Sequence, residues 1–296
     1  MPTSAAPVTC FLSFADSRMR SALSRIANQA KAMNFFDEIR VYQEDDLDES
    51  FLETWRSVMK PCLRGFGYWC WKPYVILRTL ESLPEGSTLL YCDVGCHFNL
   101  EGVNRLRYYY EELENDPLGI KAFPAYSSSI GVQERRWTKG DVFDYFCCRN
   151  NKAITETPQL ASGHIFCKKS TSTVQFMRDW YQAYLDNYSL IDDSESKSPN
   201  LSGFIENRHD QSIFSILYKL RGGTPLPDGE TEGIDFSTMK AYPIWDMRDK
   251  GSKYKDKRFF SRVKRFLKAK RIHLIIKREQ IKEKHPTLAS LIFGKN

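Results

Sequence analysis

The chain has 296 residues, of which 42% are hydrophobic and 27% charged, and its formal net charge is +6. This is an ordinary globular balance, sufficient for one large domain or for one domain with an appendage. No apolar run approaches the ~20 residues that a helix needs to span a bilayer, so we expect no membrane-spanning helix.

The chain opens with a strand, a helix and a second strand. Residues 8–14 are apolar and rich in strand-forming side chains, which predicts a buried first strand. A loop over 15–18 leads into a helix that continues to about Met33, and residues 36–42 indicate the second strand. This order is typical of a parallel sheet with right-handed crossovers.

The N-terminal residues and the cysteines indicate in which compartment of the cell we expect the protein. Residues 1–7 contain neither a basic segment nor a long apolar one, so we expect no secretory signal and a reducing, cytoplasmic location. None of the eight cysteines forms a Cys-x-x-Cys pair, and no histidine lies at zinc-finger spacing. We therefore predict that the cysteines are buried free thiols.

Helical periodicity follows the second strand. It predicts helices over 45–60 and 73–83. Lys72 precedes a proline that suits the first position of the second of these helices. Trp69 and Trp71 flank this lysine, and their positions leave open whether they belong to the core or to a platform for a sugar.

The apolar run over 89–92 predicts a buried strand that ends on Asp93. Ligands bind at the carboxyl ends of the strands in open α/β sheets. A carboxylate there, with Gly95 two residues later, suits a site for a metal or for a phosphorylated sugar. An ordinary Asp-x-Gly turn remains the alternative, since both residue types are favoured in turns.

The middle of the chain continues the alternation of helices and strands. Periodicity predicts helices over 105–113, 171–188 and 210–220, and strands over 119–125 and 161–167. The whole pattern predicts an α/β fold.

Two further polar segments adjoin predicted elements. Residues 161–167 begin with a small-residue turn before a strand, and residues 208–215 place His209 and Asp210 at the start of a helix. Free backbone N–H groups and the positive dipole end favour anions there. The two side chains suit a divalent metal or sugar hydroxyls. A helix cap and a loop histidine are the alternative.

In this order and spacing, the segments resemble GT-A glycosyltransferases of the bacterial lipopolysaccharide and capsule type. The resemblance covers most of residues 8–220. It is carried by Ser13–Arg18, Gly67–Pro73, Leu89–Gly95, Ala161–His164 and His209–Ser212. It implies a GT-A-like, Rossmann-like fold with a mixed, mainly parallel sheet flanked by helices, whose first half binds a nucleotide sugar such as a UDP-sugar.

The resemblance also raises the question of whether the protein binds a divalent metal ion. In such enzymes an Asp-x-Asp motif holds Mn²⁺ or Mg²⁺ against the diphosphate, because the leaving group carries concentrated negative charge. This chain has Asp93-Val94-Gly95, so the second carboxylate is missing. Either Asp93 holds the metal, together with His209, or the enzyme is metal-independent and relies on Lys72 or on arginines.

Roles for single residues follow from the same resemblance. It implies that Asp210 binds the donor sugar or acts as catalytic base and that Gln211 lies near the anomeric carbon, so the stereochemical outcome stays open. Lys72 is expected at the phosphates. The residues expected to bind the donor are Phe14, Asp16, Arg18, Lys72, Asp93, Gly95, Ser162, Gly163 and His164.

The C-terminal part of the chain is basic. Residues 248–284 contain 16 Lys or Arg against 4 Asp or Glu, so the rest of the chain is acidic. We predict a catalytic domain over 1–245 and a basic amphipathic helical extension over 246–296. One apolar face is expected to hold Phe259, Phe260, Val263, Phe266 and Leu267.

An anionic membrane surface is the partner that suits this extension best. Nucleic acid is the competing partner, and we do not expect it because the body is acidic and carries no nucleic-acid motif. A helix that packs on the domain also remains open.

The sequence thus predicts a glycosyltransferase that moves a sugar, expected to be a hexose, from a nucleotide sugar to a glycan or lipid-linked acceptor in surface polysaccharide synthesis. We expect it in the cytoplasm, with peripheral attachment to the inner face of the membrane. The alternative is a non-catalytic module that binds a glycan or a partner on a degenerate transferase fold. The missing second aspartate is the feature that favours this alternative.

Overall fold

The structure is a computed structural model. It describes residues 5–60, 62–125, 132–233 and 235–249, together with residues 270, 274, 277, 278, 281, 284 and 285.

A five-stranded sheet forms the centre of the molecule, in the order β2-β1-β3-β6-β5. The strands of the protein are β1 (Thr9–Ala15), β2 (Glu38–Gln43), β3 (Thr88–Cys92), β4 (His97–Phe98), β5 (Ile120–Pro124), β6 (Leu160–Lys168) and β7 (Ile244–Trp245). Strand β1 is parallel to β2 and β3, whereas β6 is antiparallel to β3 and β5. Four of the five strands therefore point one way, which confirms the predicted mixed, mainly parallel sheet.

Helices cover both faces of this sheet. They are α1 (Arg20–Ala32), α2 (Glu49–Trp55), α3 (Gly65–Tyr68), α4 (Trp71–Ser82), α5 (Val103–Glu114), α6 (Glu134–Trp137), α7 (Gly140–Tyr145), α8 (Lys152–Thr155), α9 (Thr171–Asp186) and α10 (Asp210–Leu220). Helices α1 and α5 pack on one face, and α4, α9 and α10 on the other. The α/β class is confirmed.

The central strand β3 is buried on both faces, and its side chains alternate between two cores. Leu89 and Tyr91 join the core under α4, α9 and α10, while Leu90 and Cys92 join the core under α1 and α5. Strands that are covered on both sides are apolar at successive positions. This explains why the sequence shows a continuous apolar run rather than an alternation.

Several boundaries differ from the sequence prediction. Helix α4 begins at Trp71, so Lys72 lies inside its first turn with its side chain buried. The helix predicted over 45–60 is limited to α2, after a short 3₁₀ turn. The predicted small-residue turn before a strand is wrong: residues 161–164 belong to β6, where His164 pairs with Cys92 of β3.

The chain after α10 contributes one strand to a second, two-stranded sheet. Strand β7 pairs with β4, so that residues 244–245 lie beside residues 97–98. Gly102 is required where this segment passes, because a Cβ at that position would lie 2.3 Å from the backbone nitrogen of Pro243. The segment after α10 is thereby part of the main body.

All eight cysteines are free, and six of them are buried as predicted, whereas Cys62 and Cys147 are exposed. Residues Phe259, Phe260, Val263, Phe266 and Leu267 of the predicted basic extension lie outside the described residues. The division at residue 245 stays a prediction. In the described part of the chain, no helix combines the length and apolarity needed to cross a membrane.

Candidate functional site

A cavity of about 630 Å³ opens where strands β1 and β3 end. Ligand sites of open α/β sheets lie at this edge because the strands stop there and their loops diverge. All of the site residues predicted from the sequence line this one cavity. They are Phe14, Asp16, Arg18, Lys72, Asp93, Gly95, Ser162, Gly163, His164, His209, Asp210 and Gln211.

Lys72 is at the centre of the polar network in the cavity. Its ammonium lies 2.6 Å from Asp210 Oδ2 and 3.2 Å from Asp93 Oδ1, and it also donates to the carbonyl of Ser162 at 3.3 Å. Burial alone would lower the pKa of Lys72, but the carboxylates of Asp210 and Asp93 outweigh it and raise that pKa. The lysine therefore stays charged between two carboxylates.

The two carboxylates are each held by a hydroxyl as well. Ser162 Oγ donates to Asp210 Oδ2 at 2.7 Å, and Tyr91 donates to Asp93 Oδ1 at 2.6 Å. Removal from water raises the pKa of Asp93, and the nearby Lys72 offsets part of that rise. The backbone N–H of Asp93 donates to the carbonyl of Gly163 at 2.7 Å, which fixes the residue to the sheet.

Asp210 is the first residue of α10, and the chain enters that helix through an unusual backbone conformation. His209 has φ +55°, a value that few non-glycine residues adopt. Its buried Nδ1 lies 2.5 Å from the carbonyl oxygen of Ile191. The Nε2 atom is 3.6 Å from Asp193 Oδ1, and burial lowers the pKa of the imidazole. Such backbone strain persists where the surrounding structure overdetermines it.

The side chains do not fit a divalent metal held by Asp93 and His209. Asp93 already pairs with the ammonium of Lys72, so its carboxylate faces a cation of the protein itself. Among the residues that the structure describes, no group of three or more His, Cys, Asp or Glu side chains is arranged to hold a metal ion. The proposed metal ligands stay predictions.

Gly95 shows why the second carboxylate of the motif is missing. A Cβ at this position would lie 3.1 Å from the Cα of Arg248 and 3.3 Å from the backbone nitrogen of Asp249. The same nitrogen donates to the carbonyl of Gly95 at 3.0 Å. A side chain at position 95 would therefore displace the segment that closes the cavity.

The expected nucleotide end of the cavity contains a stacked ring pair and an ion pair. Phe14 stacks on Trp71 with ring centroids 4.0 Å apart, and Trp71 donates its indole N–H to the carbonyl of Gly65 at 3.1 Å. Asp16 accepts two hydrogen bonds from the guanidinium of Arg18, at 3.0 and 2.6 Å. Trp71 thus belongs to the core. For this tryptophan, the structure decides between the core and a platform for a sugar, the two roles that the sequence left open.

Trp69 lines the cavity because of a left-handed turn over 65–69. All five residues have positive φ, between +52° and +87°. A Cβ on Gly65 would lie 2.3 Å from the Trp69 ring, so only glycine fits under the indole. Each non-glycine residue in this conformation costs about 1–2 kcal/mol. Two glycines two residues apart were the only signal of this turn in the sequence.

Three predicted residues from the sheet and from α10 complete this part of the site. Gln211 donates its amide N–H to Gln159 Oε1 at 2.6 Å, which orients it at the cavity wall. His164 is buried, and burial lowers its pKa, so the imidazole is neutral. A Cβ on Gly163 would lie 3.3 Å from Asp93 Oδ2, so a small residue is needed at that position.

The cavity also holds charged residues that sequence reasoning missed. They are Arg64, Glu206, Arg208, Glu232, Asp246 and Arg248. Arg248 pairs with Glu232 at 3.2 Å and with Asp246 at 3.4 Å. Burial raises the pKa of Glu232 to about 7. Glu232, Asp246 and Arg248 follow residue 220, beyond the reach of the family resemblance, and their segment has no periodicity that would have identified them.

No protein-family model and no curated protein sequence matches the chain. Several solved structures are similar to it. A glycosyltransferase involved in glycosylation of the major capsid of PBCV-1 has TM-score 0.44 and 11% identity over 81% of this chain and 93% of that one. Mouse xyloside xylosyltransferase 1 has TM-score 0.43 and 14% identity, with coverages of 80% and 97%.

The galactosyltransferase LgtC, in complex with donor and acceptor sugar analogues, has TM-score 0.41 and 15% identity over 76% of this chain and 75% of that one. At such TM-scores and identities, these likenesses assign neither a family nor an activity to the protein. Its function is therefore inferred from the cavity.

Proposed function

We propose that the protein is a glycosyltransferase that uses a nucleotide sugar as donor. The observation that carries this proposal is the convergence of Lys72, Asp93 and Asp210, from three separate segments, in one cavity at the ends of β1 and β3. A donor needs a cationic group for its diphosphate and carboxylate oxygens for its sugar hydroxyls. The cavity offers both within hydrogen-bond distance of each other.

We assign the residues in the order of the donor. Phe14, Asp16 and Arg18 adjoin the nucleoside, and Lys72 faces the phosphates. Asp210 uses Oδ2 for Lys72 and Ser162, which leaves Oδ1 for a sugar hydroxyl. Its pairing with an ammonium favours donor binding over a role as base, since a base must take up a proton at the paired carboxylate.

Gln211 follows Asp210 on the first turn of α10 and is assigned to the surroundings of the anomeric carbon. Mn²⁺ or Mg²⁺ would neutralise the leaving diphosphate if one were bound. Because the side chains at Asp93 do not fit such an ion, no step is assigned to it. Charge on the leaving group is then neutralised by the protein's own cations.

The proposal also includes the acceptor and the cellular location of the reaction. We propose transfer of a hexose to a glycan or lipid-linked acceptor in surface polysaccharide synthesis, at the cytoplasmic face of a membrane. The charge of residues 248–284, with 16 basic against 4 acidic side chains, supports attachment of the C-terminal extension to anionic lipid. No nucleic-acid partner is proposed.

The alternative of a purely binding module is not favoured. Burying an ammonium between two carboxylates is expensive, and replacement by apolar residues is often neutral or stabilising. A module that only recognises a glycan has no need of that arrangement at the end of β3. Its retention suits a site where a charged diphosphate departs.

The test is thermal unfolding with UDP, GDP, ADP and CMP, each with and without Mn²⁺. A ligand at 100 times its dissociation constant adds about 2.7 kcal/mol, which corresponds to a rise of several degrees in Tm. We expect one nucleotide to produce such a rise and the matching nucleotide sugar to be consumed. No rise with any of the four would contradict the proposal.

A further inference from the structure

We propose that Arg208, together with Arg64 and Arg248, forms an anion subsite that binds the diphosphate of the donor directly, without a divalent cation. The inference rests on the proposed function, because it names the group in the cavity that takes the place of the metal. None of these three arginines was among the residues expected from the sequence.

Arg208 is a partly buried cation that forms no ion pair with the residues that the structure describes. Its guanidinium lies 3.9 Å from the centre of the Trp137 ring, and in the described part of the chain no carboxylate pairs with it. Its backbone N–H is held by Ser212 Oγ at 3.1 Å and by the carbonyl of Trp137 at 3.0 Å. A guanidinium that stacks on a ring keeps its edge N–H groups available for a planar or tetrahedral anion.

Charges of both signs act on Arg208 in the cavity. Burial is the main cause that lowers the pKa of Arg208 to about 10; Glu232 and Glu206 oppose this shift, and Arg248 and Arg64 add to it. Arg248 and Arg64 thus each repel the guanidinium of Arg208. An anion between them would remove that repulsion and supply the missing partner of Arg208.

Arg64 and Arg248 are both placed to share such an anion. Arg64 is exposed beside Trp69, 6.0 Å from the ring centre, and it forms no ion pair with any residue that the structure describes. Arg248 pairs with Asp246 at 3.4 Å and with Glu232 at 3.2 Å, and it lines the same cavity as Arg64 and Arg208, so it reaches a shared anion from an ion pair that it already forms.

A diphosphate is the anion that fits best. Guanidinium groups bind phosphate oxygens in bidentate geometry, and several of them can share two phosphates. Lys72 shares its ammonium with Asp93 and Asp210, so it cannot neutralise a diphosphate alone, and the backbone of Arg248 leaves little room for a second aspartate at position 95. The segment that excludes the second aspartate is therefore the one that brings an arginine into the cavity.

The test is calorimetric titration of the full chain with inorganic pyrophosphate in EDTA, and again with Mg²⁺. We expect binding in EDTA, a change of less than threefold with Mg²⁺, and at least a tenfold loss of affinity in Arg208→Gln. Arg178→Gln is the control, since that exposed arginine pairs with Glu81 on another face. It should bind pyrophosphate as the unaltered chain does.

Competition identifies the source of the anion. If the subsite holds the donor, the nucleoside diphosphate that stabilises the protein displaces pyrophosphate; additive binding of the two would overturn the assignment. Binding that requires Mg²⁺, or unchanged affinity in Arg208→Gln, would also overturn it.

Two further measurements keep the test decisive. If Arg208→Gln does not fold, the exposed Arg64→Gln carries the test, with an expected loss of at least threefold and the same unfolding curve as the unaltered chain. Failure of the proposed function looks different: pyrophosphate would still bind through Arg208, but none of the four nucleotides would compete with it.

Discussion

Lys72 Nζ and Asp210 Oδ2 lie 2.6 Å apart inside the protein, although 138 positions separate the two residues in the chain. The contact joins the first turn of α4 to the first turn of α10. This ion pair connects the two helices inside the cavity. It also fixes the position of the Asp210 carboxylate, which we assign to the donor sugar.

Asp210→Asn should therefore impair transfer more than nucleotide binding. The amide keeps the size of the side chain but loses the charge that faces Lys72. We expect the turnover of the nucleotide sugar to fall by at least ~100-fold, as is typical when a group that stabilises the transition state is removed. Nucleoside diphosphate affinity, measured by calorimetry, should change by less than about threefold, since we assign most of the diphosphate contacts to Arg64, Arg208 and Arg248.

Asp186→Asn is the control for that substitution. Asp186 ends α9 at the surface and bonds Tyr145 and Gln182. Turnover by this variant should match that of the unaltered chain. Equal turnover by Asp210→Asn and Asp186→Asn would remove Asp210 from the mechanism.

Restoring the second aspartate should not restore a metal site. Gly95→Asp places a side chain against the backbone of Arg248 and Asp249, so we expect a loss of about 1–3 kcal/mol in the free energy of unfolding, the usual cost of overpacking. Calorimetry with Mn²⁺ should show no gain in affinity. The smaller Gly95→Ala should lose less stability; tight Mn²⁺ binding by a stable Gly95→Asp protein would refute our account of this position.

The turn over 65–69 predicts that replacing Gly65 costs more stability than replacing Gly222. Gly65→Ala and Gly222→Ala both put a side chain at positive φ, +58° and +74°, which costs about 1–2 kcal/mol in each case. Only at Gly65 does the new Cβ meet the Trp69 ring, whereas nothing lies within 4 Å of it at Gly222. Denaturant unfolding should therefore show a further loss of roughly 1–3 kcal/mol for Gly65→Ala. Equal losses would mean that the indole moves aside without cost.

The raised pKa of Glu232 predicts that the free energy of unfolding depends on pH. Burial raises its pKa from 4.5 to about 7 in the folded protein, so between these values the folded state binds more protons than the unfolded state. The free energy of unfolding should then fall as the pH rises through this window. Glu232→Gln removes the titrating group and should flatten that fall.

Urea unfolding at pH 5, 6 and 7 measures the effect. Glu101→Gln is a suitable control, since Glu101 is an exposed residue at the start of a 3₁₀ turn. If the slope of stability against pH were the same in Glu232→Gln as in the unaltered chain, another group would be responsible.

Much of the site could be predicted because its residues adjoin strongly patterned elements. Asp93 follows an apolar run that predicts a buried strand, and Asp210 opens a helix whose bounds, Asp210–Leu220, agree with the predicted 210–220. Residues at the ends of such elements meet at the sheet edge. The pattern therefore placed them in one cavity without any knowledge of their contacts.

The missing parts depend on contacts between distant segments. Nothing near Lys72 in sequence shows that it is buried, because its partners are 21 and 138 positions away. Arg248 enters the cavity through the packing of its backbone on Gly95, and neither residue carries a periodic signal. The positive φ values over 65–69 likewise arise from tertiary packing that overrides local preference.

Strand β6 runs against β3, so its first residues reach the edge at which β3 ends. One part of the cavity lining, with Asp93 and Ser162, thus belongs to the central sheet or directly follows it, whereas another part, with Arg64 and Arg248, is made of connecting segments. Loops tolerate exchange of residues better than a doubly covered sheet does. Variants with a new choice of donor or acceptor should therefore be sought by diversifying the connecting segments around Arg64 and Arg248, while these two arginines and the sheet residues are kept unchanged.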